Sequence, residues 1–167
     1  MRSLATLISI LTLGATVACA ELVPVDVDPI PFRTAALKVT SSQGEVSYSP
    51  ETLETLGTFS LTTITPWRDA PAEFVGVRLR DVLTAHGLDQ ETSIRVIAEN
   101  DYAVELYSEA WMTMDALIAT RVDGKAHSRR ARGPLQIVFP MTDQPELGQG
   151  ANQRYWVWMA AAIEVQN

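Results

Sequence analysis

The spacing of apolar and polar positions changes several times along the chain, and each change predicts an element. Residues 36–49, ALKVTSSQGEVSYS, alternate on both sides of a polar break at Ser41–Gly44, which predicts a hairpin. In SPETLETLG (49–57), Ser49 is placed to cap a short helix, Pro50 suits its first position and Gly57 stops it. TFSLTTIT (58–65) alternates as a strand. RLRDVLTAHG (78–87) sets Leu79, Val82 and Leu83 on one helical face before Gly87, so FVGVRLRDVL reads as the start of an amphipathic helix. The segment around Pro66, Trp67 and Arg68 is then a strand-to-helix connection. SIRVIAEN (93–100) and YAVELY (102–107) are strands flanking an Asn100-Asp101 turn, and SEAWMTMD is a helical turn. ALIATRVDGKAHS is a hairpin about Asp123-Gly124, and PLQIVFP (134–140) is an apolar strand. RYWVWMAAAIEVQ (154–166) reads as the last strand, with Trp156 and Trp158 on one face and Tyr155 and Val157 on the other. The predicted class is α+β, mostly β with a few short helices, because a parallel α/β fold needs longer helices between its strands.

The first twenty residues do not belong to this pattern. Arg2 precedes a mainly apolar run from Leu4 to Gly14, too short to span a bilayer, and Ala18-Cys19-Ala20 fits a small-x-small cleavage site. Residues 1–20 are read as a signal peptide, with lipidation at Cys19 as the alternative, so the expected location is the periplasm. Residues 21–35, with three prolines in ELVPVDVDPIPFR, form an extended lead-in, and 36–167 form one domain. The only cysteine of the chain is Cys19, inside the leader, which excludes disulfides and thiolate chemistry from the domain. A formal net charge of −7 argues against nucleic acid or an anionic membrane as the main partner.

Few of the usual chemistries have support. His86 and His127 lack partners at metal-ligand spacing, no nucleophile elbow occurs, and no glycine-rich phosphate loop is present. What remains is a set of polar and aromatic residues at element ends, where binding residues tend to sit. Trp67 and Arg68 follow one strand, Asn100, Asp101 and Tyr102 form a turn, and Arg129, Arg130 and Arg132 precede the apolar strand. Indoles stack on flat heteroaromatic rings, and amides, carboxylates and guanidinium groups pair with ring edges. Core packing for Trp156 and Trp158, a solvated edge for the arginines and simple turn chemistry at Asn100-Asp101 are the alternatives.

Four stretches, in order, resemble the molybdopterin-binding domain of the sulfite oxidase type. They are FSLTTITPWRDAPAEFVGVRLRDVL, ENDYAVELYSEAW, ALIATRVDGKAHSRRARGPLQIVFP and RYWVWMAAAIEV, within about residues 36–165. In the family's enzymes a cysteine thiolate four residues before the matching tryptophan binds molybdenum, and here that position is Thr63. A neutral hydroxyl does not replace a soft anionic thiolate. The chain is similar to exported, cysteine-less members that bind free pterins. The resemblance implies a periplasmic receptor for a reduced pterin, without molybdenum or catalysis. It would signal to the periplasmic domain of a membrane diguanylate cyclase/phosphodiesterase and so to cyclic-di-GMP control. It further implies that Trp67 stacks on the ring with Thr63, Thr65 and Arg68 nearby. Asn100, Asp101 and Tyr102 would border the amino-pyrimidine edge, and Arg130 and Arg132 the side-chain end. The other implied function is a molybdenum-cofactor oxidoreductase.

Overall fold

A computed structural model of the chain describes residues 21–165. The predicted leader, with Cys19, lies outside the described residues. Eleven strands run in chain order: β1 (Val23–Pro24), β2 (Leu37–Ser41), β3 (Gly44–Tyr48), β4 (Phe59–Thr65), β5 (Arg68–Arg78), β6 (Ser93–Ala98), β7 (Ala103–Tyr107), β8 (Leu117–Val122), β9 (Lys125–Ala126), β10 (Gln136–Val138) and β11 (Ala160–Glu164). Among the described residues three short α-helices intervene: α1 (Pro50–Leu53), α2 (Leu79–Ala85) and α3 (Glu109–Met112). The class is α+β and mostly β, as the hydrophobic pattern predicts.

The strands make two sheets. One has the order β1-β4-β5-β8-β10, with β9 paired to β8, and the other has the order β3-β2-β11-β6-β7. Inward residues of both sheets, among them Leu61, Phe74, Val77 and Ile118 from the first and Val39, Val96 and Ile163 from the second, form one core. That core is completed by Leu53 of α1, Leu79, Val82 and Leu83 of α2, and Trp111 of α3. The lead-in joins the first sheet at its edge, where Val23 and Pro24 pair antiparallel with Ser60 and Phe59.

Local chemistry sets the boundaries. Ser49 accepts a hydrogen bond from the Thr52 N–H while Thr52 reaches back to the Ser49 N–H, a reciprocal cap at the start of α1. Gly57 ends the following 3₁₀ turn with φ 106°, a conformation open to glycine. That turn also carries Glu54, whose buried carboxylate accepts from Thr120 Oγ1 at 2.6 Å and from Arg121 Nε and Nη2 at 2.9 and 2.6 Å. Arg121 Nη2 donates as well to the carbonyl of Asp28 at 2.6 Å, so one guanidinium ties the lead-in and the α1 region to β8.

Two expectations are corrected. The segment after Trp67 is strand, not the start of a helix: β5 runs for 11 residues, and only from Leu79 does the chain turn helical. Phe74, Val75, Gly76 and Val77 are all buried because β5 lies inside its sheet and is covered on both faces there, which erases the period-two signal. Trp67 therefore stands at the tip of a tight β4–β5 hairpin, with Thr65 opposite Arg68. The last strand is also shorter than 154–166. Gly150–Tyr155 is a 3₁₀ segment, and Tyr155, Trp156 and Val157 are buried in succession, so strand alternation fails there. Strand β11 begins only at Ala160.

Candidate functional site

The β4–β5 hairpin tip, the β6–β7 turn and the segment before β11 meet at one end of the molecule. Trp67, 39% exposed, lies edge-on to Trp158 with ring centroids 4.4 Å apart and interplanar angle 77°, and edge-on to Trp156 at 6.5 Å. Trp156 is fixed from below by its Nε1–H, which donates to the Leu147 carbonyl at 2.6 Å, and by edge packing on Phe139 at 5.4 Å. With Asn100, Tyr102, Gln153, Arg154 and Met159 these indoles line an aromatic cleft of about 270 Å³. Tyr102 holds the far wall: its hydroxyl donates to the Arg154 carbonyl at 3.2 Å, and its N–H donates to Asn100 Oδ1 at 3.3 Å. Asp101 takes the turn's left-handed position at φ 63°.

On the other side of Trp67 lies a second cavity of about 330 Å³, lined by Thr65, Arg68, Arg130, Arg132, His127 and Gln136, among others. Arg68 is held by Asp123 of the β8–β9 turn at 3.2 Å. The Arg132 guanidinium, part of this cavity's lining, lies 4.2 Å from the Trp158 ring centre and 5.2 Å from that of Trp67. Attractive contacts of this kind need a cation over an aromatic face. His127 Nε2 is 3.0 Å from Gln136 Oε1. An amide oxygen only accepts, so that nitrogen carries the proton and Nδ1 is left as an acceptor. Burial lowers the His127 pKa, the Gln136 hydrogen bond opposes this, and the nearby Arg132 charge lowers it further. His127 Nδ1, Gln136 Nε2 and Trp158 Nε1 are buried without a hydrogen-bond partner.

The structure brings most of the expected residues together, in two groups. Trp67, Asn100 and Tyr102 line the aromatic cleft; Thr65, Arg68, Arg130 and Arg132 line the second cavity, which Trp67 also borders. Thr63 and Asp101 line neither. Thr63 is fully buried, and its hydroxyl accepts the Thr142 N–H at 3.2 Å and donates to the Ile64 carbonyl at 3.1 Å. Arg129 is taken by a two-pronged pairing with Glu99 at 2.7 and 2.9 Å. Trp158 is half-buried and lines the cleft without belonging to the core, whereas Trp156 does both. His127, Gln136, Gln153, Arg154 and Met159 were not expected. Nothing local marks the last three: the 3₁₀ segment 150–155 presents Gln153 and Arg154, and Met159 stands just before β11 with φ 51°. His127 carries a signal of its own, a histidine just beyond a hairpin, but only pairing with Gln136 turns it toward this cavity.

Among the described residues, no three His, Cys, Asp or Glu side chains converge to hold a metal ion. No curated protein sequence matches the chain significantly. Among solved structures, the sulfane dehydrogenase SoxCD from Paracoccus pantotrophus has the same fold, with TM-score 0.59 and 15% sequence identity over 85% of this chain and 40% of that one. The chain thus spans less than half of that protein's length. The family model described as "Oxidoreductase molybdopterin binding domain" matches residues 43–143, more than half of the sequence and the span that carries Trp67, Asn100, Tyr102 and the three cavity arginines. The chain therefore belongs to the oxidoreductase molybdopterin-binding domain family, of the sulfite oxidase type.

Proposed function

We propose that this chain is an exported receptor that binds a pterin ring in the cleft beside Trp67 and does no metal-dependent catalysis. A single observation carries the reading: the indoles of Trp67, Trp156 and Trp158 wall a cleft whose rim offers the Asn100 and Gln153 amides, while position 63 holds a sealed threonine. A flat ring suits such walls. Offset or edge contacts between aromatic rings are worth about 0.5–1.5 kcal/mol beyond burial. The amides supply donors and acceptors for the ring's polar edge.

The donor set fits the ring half of a molybdenum cofactor and not the metal half. A thiolate is the soft anionic ligand that molybdenum takes in the related enzymes. Thr63 offers a neutral oxygen, already hydrogen-bonded to Thr142 and Ile64. The leader pattern of residues 1–20 supports export. The signalling role, contact with the periplasmic domain of a membrane diguanylate cyclase/phosphodiesterase, is supported by the resemblance to exported cysteine-less members of the fold.

Calorimetry and thermal melting with oxidised and reduced pterins test the ring site. At a ligand concentration about 100 times Kd, linkage adds about 2.7 kcal/mol of stability. For a domain of this size that is a rise of roughly 5–10 °C in Tm. No binding and no shift up to about 1 mM, equivalent to about −4 kcal/mol, sinks the reading. The second reading, a molybdenum-cofactor oxidoreductase, draws on the family itself. Metal analysis of protein recovered from the exported compartment decides between them, since stoichiometric molybdenum is compatible only with the enzyme.

A further inference from the structure

The second sheet ends on one side in a strand with a free edge. In the order β3-β2-β11-β6-β7, β3 pairs with β2 alone. Gly44 to Ser47 are exposed and Tyr48 is half-buried, so the backbone groups that β2 leaves unused face outward without cover. Strand residues directly opposite each other point to the same face. Val46 stands opposite Val39, which is fully buried in the core, yet Val46 itself is 42% exposed. β3 thus carries an apolar side chain on the inner face of its sheet, at an uncovered edge.

Edges of this kind are usually blunted by a proline, a bulge, an inward-pointing charge or very short length. The other edges of the two sheets show such protection. β1 is two residues long and contains Pro24, while β10 is buried and its Ile137 N–H donates to the Val157 carbonyl. The start of β7 is tied to the 3₁₀ segment of 150–155 through the Tyr102 hydroxyl. Glu105, at the centre of β7, would meet a copy of itself in a symmetric pair. β3 has none of these devices. Its five residues pair with β2 without a shift of register, and its one charge, Glu45, alternates onto the outer face, where Lys38 lies 3.2 Å away.

We propose that β3 is the contact through which two copies of this chain pair, antiparallel and about a two-fold axis, joining two five-stranded sheets into one. Full overlap of residues 44–48 sets the register. Val46 meets Val46 of the second copy, Glu45 meets Ser47, and Gly44 meets Tyr48. No like charges then stand directly opposite each other. The two Glu45 carboxylates are diagonal neighbours, and each keeps its own Lys38. A Cβ built on Gly44 meets no atom within 4 Å, so the second copy's Tyr48 has room beside it. Strands β2, β11 and β6 separate this edge from β7 and the turn that carries Asn100 and Tyr102, so both aromatic clefts stay open in the pair, whatever they bind. An overlap of five residues is smaller than a standard interface of about 1,600 Å², which makes the dimer weak and concentration-dependent.

Sedimentation equilibrium of protein recovered from the exported compartment, between about 1 μM and 1 mM, tests the pairing. The wild type should pass from the one-chain mass toward the two-chain mass within that range. Ser47→Glu sets a carboxylate opposite Glu45 of the other copy at both symmetric positions, and should weaken the dimer about 2- to 30-fold. Within its own chain the new carboxylate faces Lys38, and Ser47 is exposed, so the melting transition of the single chain should be kept. Adding Glu45→Lys turns each repulsive pair into an attractive one and should restore the dimer to wild-type strength or better. A one-chain mass for the wild type at every concentration overturns the proposal and leaves the edge to a strand of another protein. A dimer that Ser47→Glu does not weaken forms through another surface and overturns it as well. Weakening that the second change does not rescue overturns the register.

Discussion

Replacing Glu54 by alanine is expected to cost about 3–5 kcal/mol, because it strands a buried cation. The Glu54 side chain is 5% exposed and the Arg121 side chain 14%, and the carboxylate receives two hydrogen bonds from the guanidinium and one from Thr120. The Glu54 hydrogen bond raises the Arg121 pKa above its ordinary value, so the cation stays charged at any usable pH. Truncation leaves Arg121 with one acceptor, the Asp28 carbonyl, and leaves the buried Thr120 hydroxyl only its longer bond to the Val75 carbonyl at 3.1 Å. Breaking one side of a buried pair costs about 3–5 kcal/mol, whereas replacing both partners with apolar groups of similar volume is often close to neutral. For a chain of this size each kcal/mol moves Tm by about 2–4 °C, so Glu54→Ala should melt roughly 6–20 °C below wild type. Urea unfolding followed by fluorescence gives the free energy. The double variant Glu54→Leu/Arg121→Met should recover much of the loss. A cost under about 1 kcal/mol for Glu54→Ala, or a double variant no better than the single, would refute this account, since it would mean that solvent compensates the charge.

Further outcomes follow from the same geometry. Trp67→Ala should weaken pterin binding by about 5- to 150-fold, the range for losing one stacked heterocycle, with little change in Tm because the indole is already 39% exposed; unchanged affinity in calorimetry would contradict the stacking role. Gly76→Ala should destabilise the domain toward the upper end of about 1–3 kcal/mol, because a Cβ there meets the Ile118 carbonyl oxygen at 2.0 Å, and a wild-type melting curve would contradict it. Burial holds the pKa values of His86 and His127 below the ordinary imidazole value of about 6.5. The unfolded chain then binds more protons than the folded one just below that pH. Stability should be full above about pH 6.5 and decline as pH falls toward the folded values, with a shallower decline in His127→Gln. Melting at stepped pH values checks the sign. Thr63→Cys should show no thiol labelling beyond that of Cys19 in the wild type until the domain unfolds, since position 63 is fully buried; labelling at the rate of a free thiol would show that the position opens.

Much of the fold was legible because its signals are local. The Ser49 cap with Pro50 and Gly57, the Asp123-Gly124 turn and the period of Leu79, Val82 and Leu83 each depend on neighbours within a few residues, and each element formed as read. The failures share one cause. β5 is covered on both faces and Tyr155–Val157 is buried in sequence, so burial there follows from sheets and segments distant in the chain, and no period survives to be read.

The same division holds at the site. Trp67, Asn100, Tyr102 and the arginines stood out in the sequence because aromatic and cationic residues at element ends have little local reason to be there. The family resemblance implied that they form one group around one ring. The tertiary structure split them into a cleft and a cavity, set Arg132 over the rings of Trp67 and Trp158, and sealed Thr63 beneath Thr142. Those placements depend on a strand register, on a 3₁₀ segment at 150–155 and on contacts between residues dozens of positions apart. Long-range packing sets such distances, and the residues themselves encode only which chemistry becomes available once it does.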